Sequence, residues 1–425
     1  MRFFYTLALL LLAPFAFVWF AWRALRQTGS PDKLGERLGS SPYLHPGTAI
    51  WVHGASVGEI RAAAPLVQAL HRKYPDRPLL VTTFTATGRQ HARKLFGEKV
   101  VVSLIPYDLP FFVSRFLNCT QPAVAVILET EIWPNLYAAL AKRRVPLLLV
   151  SARLSARAFQ RYQGLPFASL ARSALSKAKL IAVQSEADAA RFRALGARED
   201  QLSVMGNLKF DVQAGPELVE AGQALRQKLF GGASVWVAGS TREGEEPLLL
   251  EAFRRVLEKH PDSILVLAPR HPERANAVAA AITAAGLGFR RLSAGEVSLK
   301  PGEVLLVDVL GQLMRFFAAG DVAFVGGTLV PVGGHNLLEP AALGLPVLAG
   351  PHLDNVRDVA EMMQEAGVLT RVDDSATLAD AAAWLLGNPA MRKSVGEMAR
   401  AKVMQNRGAL DRALDLVKAQ LNRRQ

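Results

Sequence analysis

The sequence predicts an α/β protein with two doubly wound domains behind a membrane-spanning helix. Three observations point there. The 425 residues exceed a single ordinary domain. Short runs of Val, Ile and Leu recur with helical patterns between them, and the runs are continuously apolar rather than alternating. Continuous apolarity is expected of strands buried on both faces of a parallel sheet. The stretch Phe3 to Trp22 carries no charge and as a helix would span about 30 Å, enough to cross a bilayer.

In chain order, the apolar run comes first. It ends in Val18-Trp19-Phe20-Ala21-Trp22, which suits a helix end at headgroup level, and no small-residue cleavage site precedes Arg23. Arg2 lies before the run; Arg23, Arg26, Lys33 and Arg37 follow it, which places the rest of the chain on the cytoplasmic side. Strands are expected at Ala49–His53, Leu79–Thr83, Val100–Leu104, Ala123–Leu128, Pro146–Val150, Leu180–Val183 and Leu202–Met205. Arg61–Tyr74 and Glu186–Leu195 supply crossover helices. The polar, turn-forming stretch Asp211 to Pro216 breaks the series. A second series follows at Val235–Gly239, Ile264–Leu267, Val304–Val307, Val322–Val325, Pro346–Ala349 and Val368–Val372, then a helical tail with Leu410, Leu414, Leu416 and Leu421 on a broken stripe. The domains expected are a membrane anchor over 1–27, a first domain over 28–211 and a second over 216–425, with the last helices as candidates to cross back to the first. Ligands of open α/β sheets bind beyond the carboxyl ends of the strands, so two facing domains would enclose a cleft.

Composition narrows the partners. Half of the residues are apolar and a fifth charged, which excludes a disordered chain. The single Cys119 excludes intramolecular disulfides and cysteine-based zinc sites and fits a reducing compartment. A net charge of +13 calls for an anionic partner. No basic stripe with interleaved aromatics is present, so nucleic acid is not expected. A tethered basic domain would instead lie against an anionic leaflet.

Chemistry-bearing residues fall in loops that follow strands. His53-Gly54-Ala55-Ser56-Val57-Gly58-Glu59 opens a helix; Glu59 either complements the helix dipole or acts as a general base on an acceptor hydroxyl. Glu129-Thr130-Glu131-Ile132-Trp133-Pro134-Asn135 follows a strand, with Thr130 or Glu131 available to cap the next helix; Glu129 is harder to explain as a cap. Arg153 lies on the same rim. Lys209, in Gly206–Asp211, is either a solvated lysine or an anion contact beside the hinge. In the second domain, Gly239–Glu246 suits a phosphate or a capping box built from Ser240 or Thr241 with Glu243 or Glu245. Arg270 can pair with a phosphate, and His271 reads as structural. The segment Gly326 to Pro340 could present backbone N–H groups to phosphate and Glu339 to ribose hydroxyls. The aromatic Pro110–Leu117 is either core or a bilayer-dipping helix. No P-loop, zinc-protease or serine-hydrolase motif occurs, and no D-x-D loop indicates a metal-bridged diphosphate.

Taken together, HGASVGE (His53–Glu59), ETEIWPN (Glu129–Asn135), SARLS (Ser151–Ser155), GNLKFD (Gly206–Asp211), GSTREGEE (Gly239–Glu246), APRHPER (Ala268–Arg274) and GGTLVPVGGHNLLEP (Gly326–Pro340) resemble the bacterial 3-deoxy-D-manno-octulosonic acid (Kdo) transferases. The resemblance covers nearly the whole chain, and seven motifs in order make it specific. It implies a GT-B fold and transfer of Kdo from CMP-Kdo to a lipid A precursor, lipid IVA, at the inner face of the cytoplasmic membrane. It further implies that Glu59 is the catalytic base and that Glu129 and Lys209 support the transition state. Pro269 and Arg270, Leu310-Gly311-Gln312, and Asn336, Leu337, Leu338 and Glu339 match the CMP-binding segments. Leu310-Gly311-Gln312 is the loosest match, Met and Glu being commoner there. With a single phosphate on the leaving nucleotide, no metal or other cofactor is expected, and one carboxylate base gives inversion in a single displacement. Arg153, Arg157, Arg161 and Arg172 are candidates for acceptor phosphates. The rival readings are another GT-B enzyme, such as a nucleotide-sugar epimerase, and a non-catalytic tethered nucleotide-binding module.

Overall fold

The computed structural model describes residues 1–11, 32–42, 44, 47–164, 167–211, 214–295 and 299–422. It divides into two compact units, Met1–Asp211 with Arg407–Gln425, and Val212–Asn406. Among the described residues each unit holds a seven-stranded sheet, parallel throughout.

In the first unit the strands are β1 (Ile50–His53), β2 (Leu79–Thr83), β3 (Val101–Leu104), β4 (Val124–Leu128), β5 (Leu147–Ala152), β6 (Leu180–Val183) and β7 (Leu202–Val204). They lie in the order β3-β2-β1-β4-β5-β6-β7, so the direction of winding reverses between β1 and β4. Successive side chains point to opposite faces. Trp51, Ile127 and Leu149 therefore pack with Phe116, Tyr137 and Leu140 on one side. Val52, Val81 and Val126 pack with Ile60, Leu66 and Leu70 on the other.

The chain's last helix, Ala409–Asn422, belongs to this first unit. Its buried stripe is Ala409, Ala413, Val417 and Leu421, whereas Leu410, Leu414 and Leu416 are only partly buried. Spacing of four puts the small alanines against the sheet, where their size permits close approach; of the leucines expected on one stripe, Leu421 is buried with them and Leu410, Leu414 and Leu416 sit at the flank. Asp211 ties the helix down: its carboxylate accepts Gly408 N–H at 2.7 Å and Leu410 N–H at 2.5 Å.

The second unit contains β8 (Val235–Thr241), β9 (Ile264–Pro269), β10 (Phe289–Arg291), β11 (Val304–Leu306), β12 (Val322–Val325), β13 (Val347–Ala349) and β14 (Leu369–Arg371). The order is β10-β11-β9-β8-β12-β13-β14, with the reversal between β8 and β12. Strand β10 was not expected, because Phe-Arg-Arg at a sheet edge has no apolar run to reveal it.

Residues 2–11 are helical. Tyr5 Oη donates to Asp108 Oδ2 at 3.1 Å and Thr6 Oγ1 to Asn135 Oδ1 at 3.1 Å, while Phe3, Phe4, Leu7, Leu10 and Leu11 are exposed. The membrane-spanning run expected over Phe3–Trp22 continues into 12–31, outside the described residues, as do Arg23 and Arg26. Among the described residues no helix is long and apolar enough to cross a membrane.

Replacing Asp211 with Ala removes two charge-assisted hydrogen bonds and should lower unfolding free energy by about 1–3 kcal/mol. Chemical denaturation checks the magnitude. Hydrogen exchange should show the loosening confined to Ala409–Asn422.

Candidate active site

The reversal between β1 and β4 is where a doubly wound sheet opens a crevice at its carboxyl edge. The loops that leave these two strands carry Glu59 and Glu129. Ser56 caps the helix Val57–Lys73 by accepting Glu59 N–H at 3.3 Å. The Glu59 carboxylate reaches back, accepting Ala55 N–H at 2.6 Å and Ser56 Oγ–H at 3.1 Å. Gly54 lies close under this turn: a Cβ there would sit 3.2 Å from Glu59 Cβ, tighter than an ordinary contact. Glu59 is thus both a helix-start residue and an anchored, half-buried carboxyl. Burial first, then the negative charge of Glu129, push its pKa up to about 7; Glu131 adds to the shift, and the bonds from Ala55 and Ser56 oppose it.

Glu129 follows β4 in the left-handed region, φ 53°, which non-glycine residues rarely occupy. Its carboxylate pairs with Lys209 Nζ at 3.0 Å, both side chains about a quarter to a third exposed. Lys209 sits in the short 3₁₀ turn Leu208–Phe210 after β7, where Asn207 Oδ1 accepts its N–H at 2.9 Å. Ser151, at the end of β5, is also left-handed (φ 53°), and its hydroxyl accepts Leu208 N–H at 3.4 Å. Glu131 is half-buried with its pKa raised, by burial first and by Glu129 as well. Glu129 and Lys209 are thus paired, and Glu59 lies near enough to feel the charge of Glu129. Glu131 joins them, although its sequence context suggested only a cap.

That capping role goes elsewhere. The helix Pro134–Lys142 has no cap from Thr130 or Glu131; Asp108, beyond β3, accepts Asn135 N–H at 3.0 Å and Leu136 N–H at 2.7 Å. Burial raises the Asp108 pKa to about 6 despite those bonds. Sequence separation hid this partner. On the neighbouring helix Pro110–Thr120, Val113, Phe116 and Leu117 are buried and Phe111 is 72% exposed, so the aromatic segment is amphipathic rather than wholly core. Arg157, Arg161 and Arg172 are exposed, and Arg153 is half-buried.

In the second unit the candidate nucleotide segments lie at the same edge. Pro269 ends β9 opposite Thr241, and Arg270 N–H donates to Thr241 O at 3.0 Å with its side chain exposed. Asn336 donates from Nδ2 to Glu339 Oε1 at 3.1 Å and accepts Leu338 N–H at 3.0 Å. Burial raises the Glu339 pKa, while Asn336 and the charge of Arg270 oppose the rise. Leu337 and Leu338 are 0% and 1% exposed, so in this segment only Asn336 and Glu339 offer side chains to a ligand. Leu310, Gly311 and Gln312 follow β11, the neighbour of β9; Leu310 is 74% exposed and Gly311 has φ 80°. His271 lies at the surface: Arg242 Nη1 donates to its Nε2 at 2.6 Å, and its Nδ1 is 3.3 Å from Glu273.

A family profile described as 3-deoxy-D-manno-octulosonic-acid transferase (kdotransferase) matches residues 32–212. A protein of Haemophilus influenzae named 3-deoxy-D-manno-octulosonic acid transferase is 38% identical over 99% of both chains. One of that name from Bordetella pertussis is 40% identical over 97% of both. The chain belongs to the Kdo transferase family. It is accordingly a glycosyltransferase. In fold it is similar to a UDP-GlcNAc 2-epimerase from Neisseria meningitidis, with a TM-score of 0.52 and 15% identity over 87% of this chain and 99% of that one. The glycosyltransferase of kitacinnamycin is comparable, at a TM-score of 0.51 and 15% identity over 89% and 100%. At such identity the likeness concerns the fold, two parallel α/β units of the GT-B kind.

The carboxyl cluster is electrostatically coupled, which can be tested without an activity assay. Glu129→Gln removes the negative charge that raises Glu59, so Glu59 should titrate below about 7 in the variant. Carbon-detected NMR titration of the Glu59 carboxyl checks the direction.

Proposed function

We propose that this Kdo transferase family member moves Kdo from CMP-Kdo to the lipid A precursor lipid IVA, with inversion at the anomeric carbon and without a metal. The observation that carries this reading is Glu59: a half-buried carboxyl, held by two hydrogen bonds, whose pKa lies near neutrality. A general base works best there, because it is ionised often enough to accept a proton and basic enough to hold it. Glu59 takes the proton of an acceptor sugar hydroxyl as its oxygen forms the new bond to the anomeric carbon. The bond from that carbon to the CMP phosphate breaks on the opposite face, and CMP leaves with the electron pair. Glu129 and Glu131 place negative charge where an oxocarbenium-like centre develops, and Lys209 holds Glu129 in place.

The second unit is the donor side of this reading. Arg270 meets the CMP phosphate as a planar, permanently charged donor. Asn336 and Glu339 meet the nucleoside, and the Leu310–Gln312 loop borders it. The apolar run Phe3–Trp22 tethers the protein to the inner membrane with its catalytic units on the cytoplasmic side. The exposed Phe111 and the basic surface face anionic lipid and the phosphorylated acceptor.

Incubation with CMP-Kdo and a tetraacylated lipid A precursor should yield an acceptor heavier by whole Kdo units in mass spectrometry, which also counts the sugars added. Glu59→Gln should lower kcat by at least about a hundredfold with the fold intact. For the wild type, kcat/KM should rise with pH up to about 7 and level off above it, because the base must be ionised. Arg270→Ala should weaken CMP binding in calorimetry; unchanged binding would remove Arg270 from the donor site.

A further inference from the structure

In the second unit the winding reverses between β8 and β12, and one side chain bolts the two emerging loops together. Glu245 is 0% exposed. Its Oε2 accepts Arg242 N–H at 2.8 Å and Gly327 N–H at 2.7 Å; its Oε1 accepts Thr328 N–H and Leu329 N–H, each at 2.9 Å. The capping box expected from the sequence, with Ser240 or Thr241 as the cap, does not form: the helix Glu246–Lys259 has no side-chain cap, and only the bond from Arg242 is local. The other three amides come from the loop after β12. The loops are in contact: a Cβ on Gly326 would lie 2.5 Å from Ser240 O.

The neighbouring Glu246, 2% exposed, does the same toward β9. It accepts Thr241 Oγ1–H at 3.1 Å and binds Arg274 through Nη1 at 2.7 Å and Nη2 at 3.2 Å. Both carboxylates lead by backbone to the segments assigned above to the nucleotide. Gly327 O accepts Gly334 N–H at 2.7 Å and Gly326 O accepts His335 N–H at 3.2 Å, directly before Asn336. Thr241 O accepts Arg270 N–H at 3.0 Å.

We infer that Glu245 and Glu246 are positioning residues for the sugar-nucleotide donor. Glu245 holds the Gly326–Leu329 loop, and through it Asn336 and Glu339; Glu246 holds the Arg270 loop. Neither touches the donor. This rests on the reading that the second unit binds CMP-Kdo. A carboxylate suits the task because two oxygens can take four N–H groups, whereas an amide would turn an NH₂ toward two of them.

The test uses the full chain, with CMP as probe. Glu245→Gln should weaken CMP binding about ten- to hundredfold in calorimetry and raise the donor KM by a similar factor, leaving the acceptor KM unchanged. Hydrogen exchange should quicken at Gly327–Leu329 and at 334–339 while β8 and β12 stay protected. A folded Glu245→Gln protein with wild-type CMP affinity, or with a lower Tm but an unchanged donor KM, overturns the inference. If the Gln variant does not fold, Glu245→Asp carries the same expectations, since it keeps the charge but withdraws both oxygens; wild-type CMP affinity in that variant is equally fatal. Wild-type protein that fails to bind CMP overturns the donor reading instead. The exchange pattern at 334–339 then judges the clamp by itself.

Discussion

Covering a parallel sheet with helices on both faces removes its middle from solvent and leaves polar chemistry one place to gather, the carboxyl edge where strands turn into helices. That constraint organises both units. The inner strands are almost wholly buried, so the titratable groups with a chemical part to play stand in the loops after strands or in the first turn of the helices that follow. The most strongly placed of them flank the point where winding reverses, β1 with β4 and β8 with β12. A doubly wound sheet offers a ligand its approach to the backbone at this reversal.

The two edges use carboxylates for opposite ends. In the first unit Glu59, Glu129 and Glu131 crowd together with Lys209 as the cation paired to one of them. Partial burial, with repulsion from Glu129 second, keeps a proton near Glu59 at neutral pH, and the left-handed backbone at Glu129 and Ser151 holds the loops in a conformation few residues choose. In the second unit Glu245 and Glu246 are fully paired, and their charge goes into fixing backbone amides and an arginine. An incompletely neutralised carboxyl is reactive; one saturated by donors is a strut.

Much of this was legible in the chain itself. Among the described residues, continuous apolar runs marked thirteen of the strands in nearly their observed positions; only Phe289–Arg291, short, basic and at an edge, escaped. The loops with Glu59, Glu129, Lys209, Arg270, Asn336 and Glu339 were visible because each follows such a run. What misled was local explanation. Glu131 and Glu245 sit where a helix cap would, so capping was the natural account of each. What each acts on lies in another loop: Glu59 for one, three amides after β12 for the other. The cap of Pro134–Lys142 belongs to Asp108, on a different strand end.

By itself the sequence determined the fold class, the strand ends that carry the chemistry and the family, because periodicity and local motifs are properties of neighbours along the chain. The tertiary structure alone decided which carboxylates share a site, which is raised toward neutrality and which is spent holding backbone. Those outcomes depend on burial and on charges at a few ångströms, set by strand order. A reversal of winding between β1 and β4, or between β8 and β12, brings together loops distant in sequence, and no local pattern records it.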